Sequence, residues 1–162
     1  MKKIINKKGF TLIELLAVIS ILAIIAVIAT PNIVTLVDNS KKQEFVTDAI
    51  SFTSKAVYKY KFEKYEDLFT VKDNCKIITL RNTGIEEKTD PDGNNYDVDS
   101  SIIKICEEGD STKEKVTYIF LKSTPTETDK RVRGIFDNNS SDKTVKVDSL
   151  GTKDVLDLKD LK

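Results

Sequence analysis

The hydrophobic pattern of this chain changes character twice. From Phe10 to Ala29, twenty consecutive positions hold only three polar side chains, Thr11, Glu14 and Ser20. A helix of that composition has no polar face, and at about 1.5 Å per residue it reaches about 30 Å, the hydrocarbon thickness of a bilayer. From Asn32 the apolar positions thin to helical spacing: Val34, Val37, Phe45, Ala49, Phe52, Ala56 and Tyr60. Lys41, Lys42, Gln43, Asp48 and Lys55 fall to the outer surface, so an amphipathic helix covering a sheet is expected. Past residue 69 the chain breaks into short β-prone runs, and strands are expected over 76–80, 101–106, 115–122, 131–137 and 144–148. Turn-rich stretches at 107–112, 123–129 and 137–142 separate them. The closing residues 153–162 fit a strand or one helical turn equally. The class expected is α+β, one long helix on a small antiparallel meander.

Charge refines this picture. Lys and Arg number 26, as do Asp and Glu, so the balance gives no reason to expect nucleic acid as a partner. Four of the cations, Lys2, Lys3, Lys7 and Lys8, precede Gly9. Setting those four aside leaves 22 basic against 26 acidic residues from Phe10 onward, a formal charge of −4. The chain contains no histidine, which removes the commonest general base and metal ligand. Neither a nucleophile–base pair nor a phosphate loop is found, so no catalytic residue, cofactor or metal is assigned.

Three readings compete for the apolar run. It fits a cleaved secretory signal ending at Val27-Ile28-Ala29, before Thr30, and it fits a plain membrane anchor with the lysines on the cytoplasmic side. Both leave Glu14 without a purpose, because an acid near mid-membrane costs about 2.5–3.5 kcal/mol even on lenient scales. The third reading gives it one. The stretch KKGFTLIELL, residues 7–16, resembles the class III signal of type IV prepilins and the related pseudopilins: a short basic leader ending in Gly, an aromatic first mature residue, and Glu at the fifth mature position. Here those positions are Gly9, Phe10 and Glu14, and Pro31 falls where the family tends to carry a proline. The short leader and Phe10 are similar to the type IVa group.

The resemblance implies a division into a leader at 1–9, a membrane and filament-core helix at 10–31, an amphipathic helical half at 32–68 and a β-rich head at 69–162. It also implies a sequence of events. A prepilin peptidase cuts after Gly9 on the cytoplasmic face and methylates the new amine of Phe10. Glu14 then meets that cation on a neighbouring subunit and fixes the axial stagger, since a lone carboxylate in apolar surroundings is costly and a paired one is tolerated. Pro31 kinks the helix, and the segment before it, Ala23–Thr30, is expected to be helical in the single chain and able to melt on assembly. The implied partners are identical or related pilin subunits, the peptidase, an inner-membrane platform protein with its assembly ATPase, and membrane lipid before assembly. The implied location is the cell membrane as a single-pass precursor, then an extracellular pilus.

Three further stretches carry alternatives. Residues 58–69, YKYKFEKYEDLF, alternate aromatic and lysine, a pattern that can bind single-stranded nucleic acid; the plainer reading is the end of the helix, with rings packed inward and lysine stems along the surface. Residues 89–101 bring together Asp90, Asp92, Asp97 and Asp99, near Asp110, oxygen ligands of the kind calcium takes. Their spacing is not that of an EF-hand, and Asp-Pro-Asp-Gly-Asn is a turn signal by itself. The stretch is similar to a turn that precedes the sheet in the major pseudopilins of type II secretion. Cys75 and Cys106 suggest a disulfide in an exported head, closing a loop of roughly 30 residues. Buried free thiols or half of a shared zinc site are the other options. The expectation is therefore a structural subunit of a type IV pilus, not an enzyme, with a pseudopilin of a type II secretion or competence system as the alternative. A permanently anchored extracellular binding domain is the rival from another class.

Overall fold

The structure is a computed structural model that describes residues 10–85, 88–108, 114–126 and 131–161. The chain divides into two compact units, with the boundary after Asp38. One helix, α1, runs from Leu12 to Tyr60 and contributes to both. In the first unit its large apolar side chains lie on every face and are exposed, from Leu12 through Val37. The α-helix continues through Pro31, as expected for the single chain, although proline brings no N–H to the carbonyl of Val27. Three hydroxyls of this stretch bond to their own helix: Ser20 Oγ donates to the Leu16 carbonyl at 2.8 Å, Thr30 Oγ1 to Ala26 at 2.6 Å and Thr35 Oγ1 to Pro31 at 3.1 Å. A hydroxyl that bonds four residues back needs no water, the condition for entering hydrocarbon.

In the second unit α1 becomes one-sided. Phe45, Val46, Ala49, Phe52 and Ala56 are buried against a sheet of eight strands: β1 (Thr70–Lys72), β2 (Cys75–Thr79), β3 (Asn95–Tyr96), β4 (Ile102–Glu108), β5 (Glu114–Thr124), β6 (Arg133–Ile135), β7 (Val145–Lys146) and β8 (Val155–Asp157). All pairings are antiparallel along the order β1-β2-β4-β5-β6-β8. The five expected strands are all present, each trimmed, shifted or lengthened by one or two residues at its ends. β7 and β3 depart from a plain meander, because both pair with the long β5. β1 and β3 have no counterpart among the expected strands: β1 is an edge strand exposed at every position, so it has no alternation to read, and β3 is two residues long. The undecided C-terminal stretch resolves as β8 between short 3-10 turns.

The core forms where helix and sheet periodicities meet. β4 turns Ile103 and Ile105 inward, facing Ile78 on β2 and Ile119 on β5. Tyr96 stands between Phe45 and Phe52 with edge-to-face ring contacts at 5.1 and 5.2 Å, arrangements that add to plain burial. Gly134 in β6 is required by closeness, since a Cβ there would stand 2.7 Å from the Leu121 carbonyl oxygen.

Two expectations about α1 need correction. The helix stops at Tyr60, not near residue 68, and a 3-10 turn follows over Glu63–Leu68. Tyr60 turns toward the sheet, its ring 6.0 Å from Phe69 and its hydroxyl donating to Glu107 Oε1 at 3.2 Å, and Phe62 is already extended. Asp48, expected on the outer surface, is only 8% exposed. Its position, three residues after Phe45 and four before Phe52, lies on the buried stripe. Lys88 pairs with its Oδ1, and the Tyr96 hydroxyl donates to Oδ2 at 3.0 Å. Burial, ahead of the nearby Asp48 charge, pushes the Tyr96 phenol far above its ordinary pKa, so it stays a donor.

Cys75 and Cys106 are directly opposed in the β2–β4 register and joined by a disulfide. Cys106 is out of phase with Ile103 and Ile105, which places the bridge on the sheet face away from α1, beside Val116.

Replacing both cysteines by alanine is expected to lower stability by about 3–4 kcal/mol, from the entropy of the loop the bridge closes; denaturant titration of the detergent-solubilised chain measures it. Asp48→Ala leaves the Tyr96 hydroxyl buried without its acceptor and should cost about 1–3 kcal/mol, whereas Lys55→Ala, on the exposed face of the same helix, should stay within about 0.5 kcal/mol. Acid sensitivity has a definite sign. Burial raises the pKa of Asp142, but bonds from Lys104, Ser140 and Thr144 outweigh it and hold the carboxyl well below its ordinary value. Its contribution is therefore complete above about pH 4 and is lost as pH falls through the lowered folded value. Lys104→Met should make stability between pH 5 and pH 2 fall less steeply.

Candidate processing and assembly site

The residues assigned to processing and assembly lie at the start of α1. Gly9 and the four leader lysines are outside the described residues. Phe10 is the first residue described, 89% exposed, and Thr11 precedes the helix that starts at Leu12. Glu14 sits in the first turn, and its carboxylate does not hang free. Its Oε2 accepts from the Thr11 backbone N–H at 2.8 Å and from Thr11 Oγ1 at 2.9 Å, while the Glu14 N–H donates to Thr11 Oγ1 at 3.3 Å. This is a reciprocal capping box, the N-cap hydroxyl serving the third helical amide and the acid serving the N-cap amide. The acid also lies at the positive end of the helix dipole. Oε1 accepts no hydrogen bond among the described residues, so half of the carboxylate remains open to a further partner.

The spacing Thr-x-x-Glu before an apolar run is legible in the sequence, and Thr11 is the functional neighbour that the sequence reading passed over. Pro31 lies seventeen residues further along the same helix, in the same unit.

The Asp-rich stretch is a turn held by its own polar groups. Asp90 Oδ1 accepts from the amides of Asp92 and Asn94, each at 2.9 Å, and Gly93 takes a left-handed φ of 84°. Asp92 pairs with Lys41 at 3.0 Å and with the buried Arg133 at 2.8 Å, and Asp97 pairs with Lys122 at 3.1 Å. Asp99 is paired with Arg81, whose guanidinium holds its carboxyl below the usual range. Asp110 lies outside the described residues. Among the described residues no group of three or more acids, cysteines or histidines is placed to hold a metal ion.

The aromatic and lysine stretch splits. Tyr60 packs toward the core, while Tyr58 and Phe62 remain 57% and 43% exposed, their rings 4.8 Å apart, so not every ring turns inward.

α1 is long and apolar enough to cross a membrane and lies near the N-terminus. Residues 5–30 match the family model described as the prokaryotic N-terminal methylation motif, the class III signal of type IV pilins and pseudopilins. The chain thus carries a prepilin-type methylation motif at the start of a long apolar helix, and it has an α+β pilin-like arrangement of one long helix on a small antiparallel sheet. No curated protein and no solved structure matches it.

Thr11→Val removes the hydroxyl from the capping box and is expected to destabilise the first turn by about 1 kcal/mol. Amide exchange at Glu14 in detergent micelles should then accelerate several-fold, and Thr11→Ser should restore it.

Proposed function

We propose that this chain is a structural subunit of a type IV pilus filament, made as a membrane precursor, cut after Gly9, methylated at Phe10 and drawn into the filament by a platform protein and its ATPase. The observation that carries the reading is the methylation motif at residues 5–30 standing on a helix whose apolar N-terminal part holds one acid, Glu14, with an open carboxylate oxygen. Cleavage removes four lysines that hold the N-terminus at the cytoplasmic face, and it creates a cation at Phe10. A neighbour's Phe10 amine then fits the open oxygen of Glu14, and any other axial stagger leaves both charges in hydrocarbon. The β-branched run before Pro31 is the stretch that gives way when helices pack along the filament. The chain acts as a building unit and not as a catalyst. A pseudopilin of a type II secretion or competence system is the second reading, favoured by the Asp90-Pro91-Asp92-Gly93 turn before Tyr96 in the sheet.

The test is the N-terminal peptide of the protein sheared or extracted from its own cells. A chain starting at methylated Phe10 is expected; a start at Thr30 or Met1 would overturn the proposal. Glu14→Ala should leave cleavage intact and abolish filaments in shear fractions, and normal filaments from that variant would sink the assigned role of Glu14.

A further inference from the structure

One exposed turn carries a pattern that filament assembly does not use. Residues 137–144 run Asp-Asn-Asn-Ser-Ser-Asp-Lys-Thr, and they hold two overlapping Asn-x-Ser acceptor patterns, Asn138-Asn139-Ser140 and Asn139-Ser140-Ser141. Such a tripeptide accepts an N-linked sugar when it lies on the surface of an exported protein. The plain reading is that Asn and Ser are here as turn formers, and some of them are. Asp137 Oδ1 accepts from the Asn139 amide at 2.9 Å, the Asp137 amide donates to the Lys143 carbonyl at 3.1 Å, and Ser140 Oγ and Thr144 Oγ1 both donate to Asp142.

Those bonds separate the two asparagines. The Asn138 carboxamide is spent on the fold, its Nδ2 donating to the Asp160 carbonyl at 2.7 Å. The Asn139 side chain is exposed, and so is Ser141, the hydroxyl residue two positions on. Among the described residues neither the Asn139 carboxamide nor the Ser141 hydroxyl makes a hydrogen bond. The turn is thus built by Asp137, Ser140, Asp142 and Thr144, while the two groups an acceptor needs stand clear of it. A polar cleft of about 840 Å³ opens beside them, bordered by Lys104, Tyr118, Asn139, Ser141, Lys146 and Lys153 among others, with room for the first sugars.

We propose that Asn139 is an acceptor site for an N-linked glycan, and that Asn138 is not. The donor is a sugar carried on a lipid diphosphate. The Asn139 Nδ2 attacks the anomeric carbon, the C–N bond forms as the C–O bond to the diphosphate breaks, the lipid diphosphate leaves with the electron pair, and the amide proton passes to a base of the transferase. The inference rests on the proposed export of the head.

The full chain purified from its own cells tests it, by mass spectrometry of the tryptic peptide 134–143 with fragmentation that keeps side-chain adducts. The expected result is a sugar adduct on Asn139, lost in Ser141→Ala, kept in Ser141→Thr and kept in Asn138→Gln. A bare peptide 134–143, or an adduct on Asn138, Ser140 or Ser141, would overturn the proposal. The N-terminal peptide of the same digest reports processing separately: a start at methylated Phe10 with bare Asn139 sinks the glycan alone, and a start at Met1 sinks the filament reading.

Discussion

The fold depends on one contact, the packing of a narrow stripe of α1 into the sheet. Ala49 and Ala56 present almost no side chain, which lets the helix backbone come close, and Phe45 and Phe52 fill the space on either side of Tyr96. Hydrophobic burial gives this contact its strength but little direction. Direction comes from the polar groups around it. Asp48 sits within the stripe with the Tyr96 hydroxyl and Lys88 on its two oxygens, so the helix has one rotation in which that carboxylate is satisfied. On the far face of the sheet the Cys75–Cys106 bridge fastens two central strands in a single register, a different kind of constraint from the packing it backs.

The same helix solves two solvent problems in succession. Toward its N-terminus the side chains are mostly apolar, and Ser20, Thr30 and Thr35 bond to their own backbone, which is what a hydrocarbon environment demands. Toward its C-terminus it keeps a wet face and a dry face. Thr11 and Glu14 belong to the first regime: an acid that looks stranded in sequence has its own N-cap as a first partner. The cost of holding Glu14 in an apolar setting is therefore already reduced within the single chain.

How much of this is legible in the sequence follows from how far apart the cooperating residues lie. The two helical regimes, the five expected strands and the N-terminal motif are local patterns of period and composition, and they can be read directly. Asp48 cannot, because a charge on an apolar stripe is tolerated only through Lys88 and Tyr96, forty and forty-eight residues away. The end of α1 at Tyr60 is hidden for a similar reason: helical spacing continues past it, and the break is imposed by Phe69 and Glu107. β1 and β3 are short additions to neighbouring strands and carry no periodic signal. At the candidate site the acid stands out and its partner Thr11 goes unread, although the capping spacing is in plain view.

The pairs along α1 form a two-letter address. Lys41 and Asp48 lie seven residues apart on the helix, and the segment they meet presents the opposite signs, Asp92 to the lysine and Lys88 to the aspartate. Apolar stripes repeat, so a helix slid along by two turns would find nearly the same oil to lie in. It would also bring Lys41 against Lys88. The wrong berth is thereby marked by repulsion, and the chain can tell where along its own helix the head belongs.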